Sequence, residues 1–130
     1  MNVRIDHTAL YVRDLEGMKQ FYTRYLDAYA GARYHNLRTG LSTYFLSFEG
    51  EGRLEIMQRP ELAGRTERIM AEGYAHLAFS LGSKEAVDAL TERLRADGYE
   101  VISGPRTTGD GYYESCVLDP EGNPIELVAQ

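Results

Sequence analysis

Apolar positions along this chain recur at two periods, and the switches between the periods lay out its elements. From Val3 to Val12 the chain alternates at every second residue, the signature of a half-buried strand. Asp14 then offers a side-chain oxygen to the first turn of a helix. Leu15, Met18, Phe21, Tyr22, Tyr25 and Leu26 follow at helical spacing as one apolar stripe, and Gly31 lies beyond its end. Strand-like runs come next, at Arg33 to Leu37, Thr43 to Phe48 and Arg53 to Gln58. The turn Glu49-Gly50-Glu51-Gly52 separates the last two.

The second half repeats this plan. His76 to Leu81 alternates, and Ser83 stands where Asp14 stood, 69 residues on. Ala86, Val87, Leu90 and Leu94 form the helical stripe, which Asp97-Gly98 ends. Tyr99 to Ser103 reads as a strand, Gly104-Pro105 as a turn and Tyr112 to Leu118 as a strand. The tight turn Asp119-Pro120-Glu121-Gly122-Asn123-Pro124 leads into a last strand, Ile125 to Val128. Each half is therefore strand, helix, then about three strands, an internal repeat. Module one covers about 1–59 and module two about 74–130. Pro60 to Gly73 is a charged connector holding a short helix or a mobile loop, too short to separate independent domains. The expectation is one α+β domain over 1–130.

The bulk numbers narrow the function classes. A chain of 130 residues, 43% hydrophobic and 26% charged, has the composition of an ordinary globular domain. Its net charge of −6, with no basic run, argues against nucleic-acid binding, which needs clustered cations. No apolar stretch is long enough to span a bilayer, and the amino terminus lacks an apolar signal core. Cys116, the single cysteine, excludes an intrachain disulfide and a Cys-rich zinc site, and it reads as a small buried hydrophobe. A cytoplasmic location fits these features. The ten tyrosines read mostly as core or cleft wall, and His35, which has no copy in the second half, as a surface residue.

Candidate chemistry comes from the repeat. His7 and His76 are 69 residues apart, Glu55 and Glu126 are 71 apart, and each occupies the matching strand of its half. Side chains alternate across a strand. His7, Ala9 and Tyr11 therefore lie opposite Leu10 and Val12, and His76, Ala78 and Ser80 opposite Leu77, Phe79 and Leu81. Glu55 lies opposite Leu54 and Ile56, and Glu126 opposite Ile125 and Leu127. In all four strands the larger aliphatic set faces away from the His or Glu. Packing those apolar faces under the helices leaves the four polar residues on an open face. Two imidazoles and two carboxylates make a divalent metal site for Zn, Ni, Co, Mn or Fe, with positions left for substrate oxygens. Tyr11 and Arg59 fall on the His7 and Glu55 faces and are the candidate substrate contacts.

The runs Asp6-His7-Thr8-Ala9-Leu10, Leu54-Glu55-Ile56, Ala75-His76-Leu77-Ala78-Phe79 and Leu118-Asp119-Pro120-Glu121-Gly122-Asn123-Pro124-Ile125-Glu126-Leu127 resemble the vicinal oxygen chelate superfamily. Within it the glyoxalase I type (lactoylglutathione lyase) is most similar. The resemblance covers essentially the whole chain. It implies two tandem βαβββ modules forming a curved mixed sheet around a metal cleft, with helices on the outer face. It also implies a homodimer with sites at the interface, where His7 and Glu55 of one chain meet His76 and Glu126 of the other. The implied reaction is proton abstraction next to a metal-chelated carbonyl, through an enediolate. Glu126 is then the first choice as base and Glu55 its counterpart, acting on a small substrate with vicinal oxygens such as a glutathione hemithioacetal. The chain departs from that type at two positions, with Tyr11 in place of an Arg and Arg59 in place of an Asn. Two other readings are an extradiol-type dioxygenase or other enzyme of the superfamily, and a non-catalytic binding or resistance protein.

Overall fold

A computed structural model describes residues 1–3, 5–64 and 72–130. The chain divides into two compact units, Met1–Glu67 and Arg68–Gln130. The helix or loop expected within the connector falls largely on 65–71, outside the described residues.

The first unit is built from β1 (His7–Tyr11), α1 (Leu15–Leu26), β2 (Tyr29–Ala30), β3 (Tyr34–His35), β4 (Ser42–Ser47) and β5 (Arg53–Gln58). Its sheet runs β1-β5-β4-β2, with β3 also on β4, and β1 pairs with β5 in parallel. Helix α1 starts because the Asp14 side chain accepts from Gly17 N. Its buried stripe is Leu15, Met18, Phe21, Tyr22 and Tyr25. That stripe packs on β4 and β5, where Tyr44, Leu46, Leu54 and Ile56 are buried. Each fully buried side chain of this size contributes about 1.5–3 kcal/mol.

The second unit repeats the scheme with β6 (Leu77–Ser80), α2 (Lys84–Ala96), β7 (Val101–Thr107), β8 (Tyr113–Leu118) and β9 (Pro124–Val128). The sheet order is β6-β9-β8-β7, again with the first and last strands parallel. Ser83 Oγ caps α2 by accepting from Ala86 N at 3.1 Å. Val87, Thr91 and Leu94 of α2 are buried, as are Val117, Ile125 and Leu127 of the sheet. With two helices and two mixed sheets among the described residues, the fold class is α+β, as the periodicity implied.

Several boundaries differ from the pattern reading. Strand β1 begins at His7 because its ladder partner β5 begins at Arg53, directly opposite. Val3 and Ile5, without a partner strand, are exposed. Helix α1 is capped by Asp27, in the left-handed region at φ 54°, a stop the spacing did not mark; Gly31 lies beyond that end, as expected. Strand β2 is only two residues long, too short to show a period. Gly104-Pro105 is no turn: β7 runs through it with register shifts against β8. Gly104 holds φ +80°, and a Cβ there would lie 2.5 Å from the Glu114 carbonyl oxygen, so only glycine fits. Of the tyrosines, Tyr22, Tyr25 and Tyr44 are buried, whereas Tyr11, Tyr29, Tyr34, Tyr74 and Tyr112 are exposed. Aromaticity alone did not separate the two groups.

One buried polar tie fixes α2 to its sheet. Thr91 Oγ1 is 2.6 Å from the Val87 carbonyl oxygen and 2.7 Å from Ser115 Oγ, and both residues are buried. Thr91→Val is expected to strand the Ser115 hydroxyl and cost about 1–3 kcal/mol. Adding Ser115→Ala should recover much of that loss. Urea unfolding of the single and double variants checks this; equal stabilities of wild type and single variant would contradict it.

Candidate functional site

Strand register decides which side chains share the face left open by α1. His7 lies opposite Arg53, Ala9 opposite Glu55 and Tyr11 opposite Met57. Across β4, Phe45 is opposite Glu55. Because directly paired residues point the same way, His7, Tyr11, Phe45, Arg53 and Glu55 occupy one face. The burial alternation of β1 and β5 agrees, with the other set turned toward the core.

His7 Nε2 is 3.7 Å from Glu55 Oε1. The other ring nitrogen, Nδ1, is 2.7 Å from Asp6 Oδ2, which also accepts from Arg53 Nη2 at 2.7 Å. The Arg53 guanidinium lies 4.5 Å from the Phe45 ring centroid, and the His7 ring meets Phe45 edge-on at 5.2 Å. Asp6 titrates below the usual carboxylate range, chiefly because it accepts from His7 and from Arg53.

The second unit builds a matching pair. Ala78 is opposite Glu126, as Ala9 is opposite Glu55. His76 stands one residue before β6, where Pro124, which has no N–H to give, ends the ladder. Its Nε2 is 3.1 Å from Glu126 Oε1. Glu126, with its side chain 21% exposed, shares its face with Glu114 and Cys116 of β8. Cys116 is thus half-buried beside the carboxylate rather than a core residue. Arg106 of β7 is opposite Glu114. Burial is the largest cause raising the Glu126 pKa above the ordinary glutamate range. The Glu114 carboxylate adds to it, while His76 and Arg106 oppose it.

Tyr11 is exposed on the His7 face, as expected. Arg59 falls just past the end of β5. Its Nε is 2.7 Å from Glu61 Oε1, a close ion pair whose angles do not make a hydrogen bond. His35 is an exposed residue of β3 whose Nδ1 is 2.6 Å from Ser42 Oγ. The residues the periodicity missed are Asp6, Arg53, Glu114 and Arg106. Strand parity would have found Arg53 and Glu114, since each is two positions from a candidate ligand or its face.

The donor chemistry of each pair fits a divalent ion. Two adjacent ligands at bond lengths of about 2.1 Å lie roughly 3.0–3.4 Å apart. The observed Nε2–Oε1 separation of 3.1 Å in the second unit lies within that range, and the 3.7 Å separation in the first lies just above it. Within the described residues, each unit supplies one imidazole and one carboxylate, and no cluster of three or more metal-capable side chains is assembled. No described helix is long and apolar enough to cross a membrane.

Comparison with known proteins gives a family match, two relatives and two solved structures. Residues 4–127 match the sequence profile of the Glyoxalase/Bleomycin resistance protein/Dioxygenase superfamily. The uncharacterised protein YqjT of Bacillus subtilis is 36% identical over 128 residues, spanning 95% of this chain and 96% of that protein. A probable lactoylglutathione lyase of Vibrio parahaemolyticus is 26% identical, over 98% of this chain and 91% of its own. Among solved structures, the trypanothione-dependent glyoxalase I of Leishmania major superposes with a TM-score of 0.78 at 23% identity, covering 98% of this chain and 86% of its own. The fosfomycin resistance protein FosX of Listeria monocytogenes, in an E126Q mutant complexed with Mn(II) and a dihydroxypropylphosphonic acid, gives 0.75 at 23% identity. It covers 100% of this chain and 94% of its own. These two structures share the fold with this chain.

The raised Glu126 pKa has a measurable consequence in metal-free protein. A carboxyl whose folded pKa is raised contributes stability that is fully present below its unfolded pKa and lost as pH rises through the folded value. Glu114→Gln removes the neighbouring like charge, so the Glu126 titration should move down toward the ordinary range. Carboxyl-carbon NMR titration reads this directly; an unmoved Glu126 titration would show that Glu114 has no part in it.

Proposed function

The chain belongs to the Glyoxalase/Bleomycin resistance protein/Dioxygenase superfamily, and within it we propose that it is a metal-dependent lyase or isomerase of the glyoxalase I type. The observation that carries this reading is the duplicated imidazole–carboxylate pair on the open face of each unit, His7 with Glu55 and His76 with Glu126. These four residues would hold one divalent ion, Zn, Ni, Co, Mn or Fe, whose hard to borderline acceptor character suits nitrogen and oxygen donors. When bound, the ion supplies a Lewis acid that polarises a substrate carbonyl and acidifies the adjacent C–H.

The chain's own residues then move the proton. Glu126 removes it from the carbon beside the carbonyl and returns it to the neighbouring carbon. Without the ion its pKa lies above the ordinary glutamate range, chiefly through burial. Glu55 is its counterpart. Tyr11 contributes an exposed ring and hydroxyl on the His7 face for the substrate body. Arg59 offers the charge that Glu61 now partners to an anionic substrate group. The two units act as one domain, and a homodimer in which one chain's His7–Glu55 joins the partner's His76–Glu126 completes the four-ligand set.

Support comes from the probable lactoylglutathione lyase relative and from family members that handle small molecules at a metal. The likeness to FosX favours a second reading, a related enzyme acting on another substrate with vicinal oxygens, since fold alone does not choose the reaction. Tyr11 and the Arg59–Glu61 pair also differ from the glutathione handles of the glyoxalase type.

Elemental analysis after loading with Ni or Zn, followed by a lactoylglutathione-formation assay, tests the proposal. About one metal per four-ligand set with turnover is expected, and Glu126→Gln should lower kcat by about 10²–10⁴-fold. Metal without turnover selects the second reading. Failure to take up any metal overturns both and leaves a binding protein.

A further inference from the structure

The two halves match at the candidate ligands and differ beside them. At the repeat offsets, Asp6 corresponds to Ala75, Arg53 to Pro124 and Phe45 to Cys116. The first half therefore carries three residues around its histidine that the second half lacks. In the first unit they form a connected chain: Phe45 ring, Arg53 guanidinium, Asp6 carboxylate, His7 Nδ1. In the second, no described side chain accepts a hydrogen bond from His76 Nδ1.

An ionised carboxylate only accepts hydrogen bonds. With Asp6 Oδ2 2.7 Å from Nδ1, the ring proton must sit on Nδ1, and the neutral imidazole then keeps its lone pair on Nε2. That is the nitrogen facing Glu55 at 3.7 Å. Arg53 prevents Asp6 from swinging away, because one Asp6 oxygen receives both donors at 2.7 Å. Phe45 limits both: its face carries Arg53, and its edge contact limits the His7 ring.

We propose that Asp6, anchored by Arg53, is a positioning residue that fixes His7 as its Nδ1–H tautomer and aims Nε2 into the site, so that the first-unit half is organised before an ion arrives and the second is not. This rests on the metal reading of His7 and Glu55, and it adds residues that make one half of the site pre-set. The competing account is a plain surface ion pair joining the starts of β1 and β5, which would contribute little. Only a positioning role changes the state of the His7 ring.

The test uses full-length protein with 15N-labelled histidine. Long-range 1H–15N correlation in metal-free protein assigns the His7 tautomer. Wild type should show Nδ1–H predominating, and Asp6→Ala should move the ring toward Nε2–H. Asp6→Asn, whose amide oxygen still accepts from Nδ1, should restore the wild-type tautomer. Zn(II) affinity, measured by competition with a chromophoric chelator, should weaken about 10–100-fold in Asp6→Ala and much less in Asp6→Asn. Asp6 is 72% exposed in its side chain, and the amide spectrum of each variant checks that the fold is kept. A wild-type His7 protonated on Nε2, a tautomer insensitive to Asp6, or a changed tautomer with unchanged Zn(II) affinity would each overturn the proposal. A wild type that binds no Zn(II) refutes the metal reading, and the tautomer comparison alone then decides whether Asp6 sets the His7 ring.

Discussion

Among the described residues each unit has one helix and one small sheet, and the helix covers one face of that sheet. This constraint organises everything else. Strand alternation forces every second residue onto the uncovered face, so burying Leu54 and Ile56 under α1 necessarily presents Glu55 on the other side. Burying Ile125 and Leu127 under α2 does the same for Glu126. The parallel pairing of first and last strands then brings a histidine beside each glutamate, at 3.7 Å and 3.1 Å. The candidate chemistry is a by-product of core packing, and a one-residue register slip would destroy both together.

The energetic cost of this arrangement falls on the carboxylates. Glu126 sits among Glu114, His76 and Arg106 on a partly desolvated face, and burial with a like-charged neighbour raises its pKa. Burial combined with specific charged neighbours is the electrostatic pattern that marks candidate functional sites. In the first unit the compensation is different. Asp6 and Arg53 supply a local ion pair against His7, and the position matching Glu114, 71 residues earlier, is Thr43 rather than an acid. Duplication preserved the ligand types and let their surroundings diverge.

Most of the architecture was legible in the sequence because it rests on periodicity. Both helices, both N-caps and the facing of all four candidate ligands follow from the spacing of apolar residues. What was hidden was set by pairing partners. Strand β1 starts at His7 only because β5 starts opposite it, and β7 passes through Gly104-Pro105 because Gly104 alone tolerates the close Glu114 carbonyl. The cap at Asp27 was missed because a left-handed aspartate has no strong pattern. Cys116 looked like core because a small thiol leading into Val117-Leu118 reads so, whereas parity places it beside Glu126. Arg59 was visible as a charge near the site, but its pairing with Glu61 was not.

In the proposed site both imidazoles would meet one ion. X-ray absorption fine structure on protein loaded with Ni(II) or Zn(II) tests this most directly, because imidazole rings leave a countable multiple-scattering signature. Two imidazoles with only nitrogen and oxygen neighbours, at about 2.0–2.2 Å, are predicted. A spectrum with one imidazole, or with sulfur from Cys116 in the coordination sphere, would contradict it.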